Sequence, residues 1–117
     1  MIAASANVHS SSIVEDGAKI GENVIIGPFC HIGPDVTLDA DSELKSHVVI
    51  TGKTTIGPRN TIFSGAILGS EPQNVHYKGE KTELLVGSDC VIREGVTMHT
   101  GMPDAGGKTI VGSHSLF

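Results

Sequence analysis

Aliphatic residues recur at every sixth position over the first part of the chain. Each sixth residue from Val8 to Leu68 is Ile, Leu or Val, which gives eleven in succession. The series is Val8, Val14, Ile20, Ile26, Ile32, Leu38, Leu44, Ile50, Ile56, Ile62 and Leu68. Chance would produce such a run on the order of once in millions of trials, so the spacing is an internal repeat.

Small or medium-sized residues form a second row, four positions after each aliphatic residue. Its members are Ser12, Ala18, Val24, Cys30, Val36, Ser42, Val48, Thr54, Asn60 and Ala66. Glycine often follows the aliphatic residue directly, as at Gly21, Gly27, Gly33, Gly57 and Gly69. The repeating unit of six is therefore a variable residue, an aliphatic residue, commonly a glycine, two variable residues and a small residue.

A period of six fits neither an α-helix, with its period of about 3.6, nor a long alternating strand. It is typical of a short strand and a turn, with one inward aliphatic residue in each strand. Three units, about 18 residues, would close one triangular coil, and stacked coils form parallel sheets on three faces. The pattern predicts an all-β parallel β-helix, with Gly, Asn and Asp adopting positive φ at its corners.

The repeat is interrupted twice. Residues 70–82 carry no core pattern, and the aliphatic row resumes in phase at Val86. A second break covers residues 101–108, after which the row restarts at Val111, one residue out of phase. We expect a single domain over residues 1–117 from which these two segments project as loops. Long loops on a rigid scaffold commonly carry function, so both are candidate site segments.

Composition and charge narrow the classes of partner. Aromatic residues are 3% of the chain and Trp is absent, which suits a narrow interior filled by slim side chains. The net charge is −5 and no basic block occurs, which argues against nucleic acid and anionic membranes as partners. No apolar stretch approaches the roughly 18 residues of a membrane span, and the N-terminus does not resemble a signal peptide. We therefore expect a cytoplasmic protein.

Taken alone, the polar and thiol residues do not indicate a reaction. Cys30 and Cys90 fall on the row of small residues, which predicts buried structural thiols. His76 and His99 lie beside the two loops, where each is either a ligand-contacting histidine or an ordinary surface histidine. A metal site assembled across coils or subunits is a further alternative, although the six histidines form no HExxH motif.

Four runs within the repeat are more specific than the repeat itself. They are IGPFCHIGP at 26–34, LKSHVVI at 44–50, GSEPQNVHYKGE at 69–80 and IREGVTMHTG at 92–101. With the six-residue row, they resemble one family over the whole chain, the acyl-(acyl-carrier-protein)–UDP-N-acetylglucosamine O-acyltransferases. The resemblance implies a left-handed β-helix and a homotrimer with sites between neighbouring prisms.

The resemblance also implies a reaction. In that family a hydroxyacyl group moves from the thioester of acyl carrier protein to the 3-hydroxyl of the sugar in UDP-GlcNAc, a step of lipid A biosynthesis. A histidine acts as general base, and backbone N–H groups stabilise the oxyanion. No metal or organic cofactor is expected. The expected partners are acyl carrier protein, UDP-GlcNAc or a related nucleotide sugar, and further copies of the chain.

Four residues of this sequence are implied as substrate contacts: Gln73, Asn74, His76 and His99. The family has an acidic residue at the position of Asn74 and a lysine at the position of His76, so both depart from its pattern. Asn74 retains hydrogen-bonding capacity without charge, and His76 can donate a hydrogen bond without a permanent charge. An amino-substituted sugar nucleotide is therefore an open alternative to UDP-GlcNAc.

No catalytic residue is expected within this sequence. The resemblance places the general base about one repeat beyond Phe117, so we expect a β-helix truncated at its C-terminal end and little or no activity from this chain alone. Two alternative functions follow. One is a non-catalytic hexapeptide module that trimerises or binds a nucleotide sugar, and the other is a zinc-dependent hydratase of the same fold.

Overall fold

A computed structural model describes residues 1–71, 79, 81–101 and 106–117, and all regular structure in these residues is β-strand. Fifteen strands form three parallel sheets, here called faces 1, 2 and 3. Face 1 contains β1 (Asn7–Val8), β4 (Ile25–Ile26), β7 (Glu43–Leu44), β10 (Thr61–Ile62) and β13 (Val91–Ile92). Face 2 contains β2 (Ile13–Val14), β5 (His31–Ile32), β8 (Val49–Ile50), β11 (Ile67–Ser70) and β14 (Thr97–His99). Face 3 contains β3 (Lys19–Ile20), β6 (Thr37–Leu38), β9 (Lys53–Ile56), β12 (Glu83–Val86) and β15 (Lys108–Val111).

Successive strands visit the three faces in turn, so the chain winds as a parallel β-helix, as the repeat predicts. The helix is left-handed, as the family resemblance implies. Within the uninterrupted repeat, each strand pairs with the one 18 residues later, as Ile26 does with Leu44. Thr61 instead pairs with Val91, an offset larger by twelve residues. The first break is therefore an insertion at the corner between faces 2 and 3, because β11 on face 2 leads directly to β12 on face 3.

Both predicted rows face the interior. From Ile20 to Leu68 every residue of the aliphatic row is at most 3% exposed, and the small row from Ala18 to Ala66 is buried with it. Burying one Ile or Leu side chain contributes about 1.5–3 kcal/mol, and the coils add these contributions one above another. Cys30 and Cys90 are buried free thiols, which confirms their predicted structural position.

Glycines directly after the aliphatic residue allow neighbouring coils to approach closely. A Cβ atom on Gly27 would overlap the carbonyl oxygen of Lys45 in the next coil. A Cβ atom on Gly57 would lie 2.7 Å from the carbonyl oxygen of Gly87. Neither glycine has a positive φ, so the spacing between coils, rather than the turn, requires the missing side chain.

Positive φ occurs instead three positions after the aliphatic residue. Asn23, Asp41 and Asp89 adopt φ of 58°, 64° and 59°, and these residue types match the expectation for corners. Phe29 and Arg59 adopt φ of 59° at the same position, so other residue types share it with the expected Gly, Asn and Asp. The N–H at this position donates to the preceding coil, from Arg59 to the carbonyl oxygen of Ala40 and from Phe29 to Oγ of Ser11, both at 3.0 Å. These bonds hold a conformation that L-residues rarely adopt.

Candidate functional site

His99 ends β14 at the corner between faces 2 and 3. Its neighbour Met98 is directed into the core, so the His99 side chain lies on the outer surface, where it is half-buried. Pairing with β11 is irregular here, because Leu68 pairs with Met98 while Ser70, rather than Gly69, pairs with His99. This bulge places His99 beside the last strand residue before the first inserted loop.

A hydrogen bond fixes the protonation pattern of the neutral His99 ring. Its Nδ1 atom lies 2.9 Å from the carbonyl oxygen of Glu71, which can only accept. Nδ1–H is therefore the donor, and the neutral ring leaves Nε2 as an acceptor. An acceptor nitrogen at a half-buried corner can receive a hydrogen bond from a ligand hydroxyl.

Two buried threonines hold the two sides of this corner together. Thr82, at the return of the first loop, donates through Oγ1 to Oγ1 of Thr100 at 2.7 Å. The N–H of Thr100 in turn donates to the carbonyl oxygen of Ser70 at 2.9 Å. The residues that flank the loop are thus fixed to the segment that carries His99.

Gln73, Asn74 and His76 lie outside the residues that the structure describes, so their predicted contact with substrate stays a prediction. The strands bracket their segment, since β11 ends at Ser70 and β12 begins at Glu83. The boundaries differ slightly from those expected from the repeat. Ser70 belongs to a strand, and Lys108 opens β15 rather than closing the second loop.

A cleft of about 580 Å³ lies at the same corner and extends across the outer surface of face 3. Glu71, which is hydrogen-bonded to His99, and Thr100, which follows His99 in the sequence, both line this cleft. Charged side chains of both signs surround the cleft: Lys19, Lys53, Lys81, Asp35 and Glu71. Sequence reasoning missed these lysines, because their only signal is an outward position in strands that become neighbours through stacking.

The remaining described histidines lie away from this corner. His31 contacts Glu15 through Nε2 at 2.7 Å, and His47 packs against Phe29 with ring centroids 5.1 Å apart. Within residues 1–71, 79, 81–101 and 106–117, no three His, Cys, Asp or Glu side chains lie close enough to hold a metal ion. The same residues contain no helix that is long and apolar enough to cross a membrane.

Arg93 and Glu94, in one of the family-like runs, form an exposed ion pair. Arg93 Nε lies 2.9 Å from Glu94 Oε1. A hydrogen bond from its own backbone, followed by that from Arg93, lowers the pKa of Glu94. The guanidinium of Arg93 also lies over the ring of Phe63, 4.1 Å from the centroid. These contacts occupy the corner between faces 1 and 2, so the pair does not join the corner of His99.

Comparison with known proteins relates this chain to hexapeptide transferases. The family described as bacterial transferase hexapeptide (six repeats) matches residues 17–52. The acyl-(acyl-carrier-protein)–UDP-N-acetylglucosamine O-acyltransferase of Rhizobium johnstonii is 58% identical over 116 residues, which are 99% of this chain and 43% of that protein. The corresponding enzyme of Bartonella quintana is 53% identical over 94% of this chain and 40% of its own length.

Solved structures agree with the sequence matches. A UDP-N-acetylglucosamine acyltransferase superposes with a TM-score of 0.90 and 33% identity, over 94% of this chain and 49% of its own. The Bacteroides fragilis enzyme of the same name gives a TM-score of 0.82 and 39% identity, over 100% of this chain and 43% of its own. The chain thus spans about two-fifths of the length of the curated relatives it matches.

Proposed function

We propose that this chain, a homologue of the N-terminal part of the acyl-(acyl-carrier-protein)–UDP-N-acetylglucosamine O-acyltransferases, supplies the sugar-contacting part of such an enzyme. The reaction would move a hydroxyacyl group from acyl carrier protein to the 3-hydroxyl of UDP-GlcNAc or a related nucleotide sugar. The observation that carries the proposal is the bond between His99 and Glu71, which leaves Nε2 of His99 as an acceptor beside the inserted loop.

Within this proposal His99 is a binding residue. Its Nε2 accepts a hydrogen bond from the sugar nucleotide, and Gln73, Asn74 and His76 provide further contacts. No general base is assigned to this chain, in accordance with the family resemblance. A cytoplasmic location, a trimer and acyl carrier protein as acyl donor belong to the same proposal.

A binding measurement tests the role of His99. Isothermal titration of the chain with UDP-GlcNAc should give a dissociation constant that rises about tenfold in His99→Ala, since one lost hydrogen bond of about 1.4 kcal/mol is a tenfold effect. His114→Ala is the matched control, because His114 is an exposed histidine at the corner between faces 3 and 1. Equal affinity of His99→Ala and wild type would overturn the assignment.

An acyl-transfer assay distinguishes binding of the nucleotide sugar by this chain from catalysis of acyl transfer. The purified chain, given hydroxyacyl carrier protein and UDP-GlcNAc, should bind the nucleotide sugar and form no acylated product. Product formation that His99→Ala abolishes would overturn the assignment of His99 as a binding residue only. Binding without transfer is also the behaviour expected of the non-catalytic module, and the homology to acyltransferases favours the enzyme part.

A further inference from the structure

Four of the basic residues that the structure describes lie on or beside one face of the prism. The chain has eight Lys and Arg residues and a net charge of −5. Lys19, Lys53 and Lys108 belong to strands of face 3, and Lys81 lies two residues before β12 on the same face. An acidic protein that gathers its cations on one surface presents a local positive potential there.

Parallel register brings two of these lysines to one carboxylate. Glu83 pairs with Lys53 on one side and with Lys108 on the other. Its Oε2 lies 3.8 Å from Lys53 Nζ, and its Oε1 lies 3.5 Å from Lys108 Nζ. Both distances exceed those of close charge-assisted hydrogen bonds, so the ammonium protons remain available to a second acceptor. The Glu83 side chain, 20% exposed, holds both lysines toward the same point.

A cleft of about 280 Å³ opens at this point and is here called the lysine cleft. It is lined by Lys53, Lys81, Thr82, Glu83, Gly106, Gly107 and Lys108. Among the residues that the structure describes, three ammonium groups against one carboxylate leave the lining with an excess of two positive charges. Gly106 and Gly107 adopt φ of 92° and 71°, and a Cβ on Gly106 would meet no atom within 4 Å. Among the described residues, that wall therefore leaves room for a ligand.

We propose that the lysine cleft binds a phosphate-bearing anion, held by the ammonium groups of Lys53, Lys81 and Lys108. The excess of two charges matches a phosphate dianion, and the small concave volume suits a phosphate or diphosphate group rather than the surface of a macromolecule. Lysine is a common phosphate ligand because it offers a compact charge with three donors. The proposal stands on face 3 alone and does not depend on the assignment of His99.

Titration with inorganic phosphate and with pyrophosphate, followed by calorimetry at low ionic strength, tests this site. Lys53→Gln and Lys108→Gln should each weaken pyrophosphate binding about fivefold or more, and the double variant should abolish it. Lys45→Gln is the matched control, because Lys45 also pairs with a glutamate, Glu43, at 2.9 Å, but at a different corner. The exposed positions of all three lysine side chains allow the variants to fold, which their melting curves would check.

Two results would overturn the proposal. One is the absence of pyrophosphate binding by the wild-type chain at millimolar concentration, and the other is an equal loss in Lys45→Gln. A separate titration with UDP distinguishes the source of the phosphate. Tighter binding of UDP than of pyrophosphate, lost in Lys108→Gln, assigns the cleft to a nucleotide, whereas equal binding assigns it to free phosphate or diphosphate.

Discussion

The side-chain oxygen of Asn60 accepts the backbone N–H of Cys90 at 2.6 Å, across the coils on either side of the first inserted loop. The amide nitrogen of the same side chain donates to the carbonyl oxygens of Gly57, at 2.9 Å, and Gly87, at 2.7 Å. Asn60 is fully buried, so one side chain satisfies three backbone groups at the junction where the register changes. The scaffold beneath the loop therefore depends on an interior amide.

Replacing Asn60 by Ala should lower the free energy of unfolding by about 1–3 kcal/mol, because buried backbone groups lose their partners. Chemical denaturation of both proteins measures the change. Asn7→Ala is the control, since Asn7 is exposed on face 1 and its loss should cost no more than about 0.5 kcal/mol. Equal effects of the two substitutions would contradict the role given to Asn60.

Gly27→Ala should destabilise the chain by about 1–3 kcal/mol, because the added Cβ overlaps the backbone of the next coil and the coils must separate. Gly112 occupies the same position of the repeat, but a Cβ there would meet no atom within 4 Å. Gly112→Ala should therefore change the stability by less than about 0.5 kcal/mol. Thermal or denaturant unfolding that shows no difference between the variants would disprove the close-approach argument.

Ile32→Ala should cost about 2–5 kcal/mol, because it leaves a cavity in a prism where Ile32 is fully buried. Ile25→Ala removes the same atoms from an outward position that is 45% exposed, so its cost should be below about 1 kcal/mol. The two variants, compared by denaturant unfolding, test the assignment of inward and outward positions. A larger loss from Ile25→Ala would reverse that assignment.

The hydrogen bond from Arg59 lowers the pKa of Asp89 below its ordinary value of 3.8. Arg59 Nε and Nη2 reach the two carboxylate oxygens at 2.8 and 3.1 Å. The ion pair therefore stabilises the fold above pH 3.8, and this contribution is lost as the pH falls through the lowered pKa. Asn tolerates the positive φ at this position, so Asp89→Asn removes only the charge. Its melting temperature should lie below that of wild type at neutral pH and approach it at about pH 2.

Melting curves across this range give the result directly. A gap between wild type and Asp89→Asn that persists unchanged at the acid end would show that the carboxylate charge is not the cause. The pair is exposed, so the gap at neutral pH should be small and should shrink further in high salt.

The sequence predicts the architecture because a slim aliphatic residue recurs at every sixth position eleven times in succession. A repeat of this kind determines the faces, the register and the buried rows, since each coil pairs with its neighbours. It does not reveal turns such as those at Phe29 and Arg59, where hydrogen bonds to the preceding coil, from Phe29 to Oγ of Ser11 and from Arg59 to the carbonyl oxygen of Ala40, hold a conformation that their side chains do not favour.

The site was predictable only in part. The two interruptions and the family-like runs indicate the corner of His99, but the bulge at Gly69 and the bond to Glu71 depend on strand pairing. The grouping of Lys53, Glu83 and Lys108 has no signal in the sequence, because the residues are far apart in the chain. They meet only after two insertions have set the offsets between β9, β12 and β15.

The most direct test of the proposed site is the state of the His99 ring in solution. Long-range proton–nitrogen NMR of the chain, with the His99 signals assigned through His99→Ala, reports which ring nitrogen carries the proton. We predict that the neutral form of the ring carries its proton on Nδ1, and that its Nε2 resonance moves on addition of UDP-GlcNAc and stays unchanged with UDP alone. A ring protonated on Nε2, or an Nε2 resonance that does not respond to UDP-GlcNAc, would contradict the account.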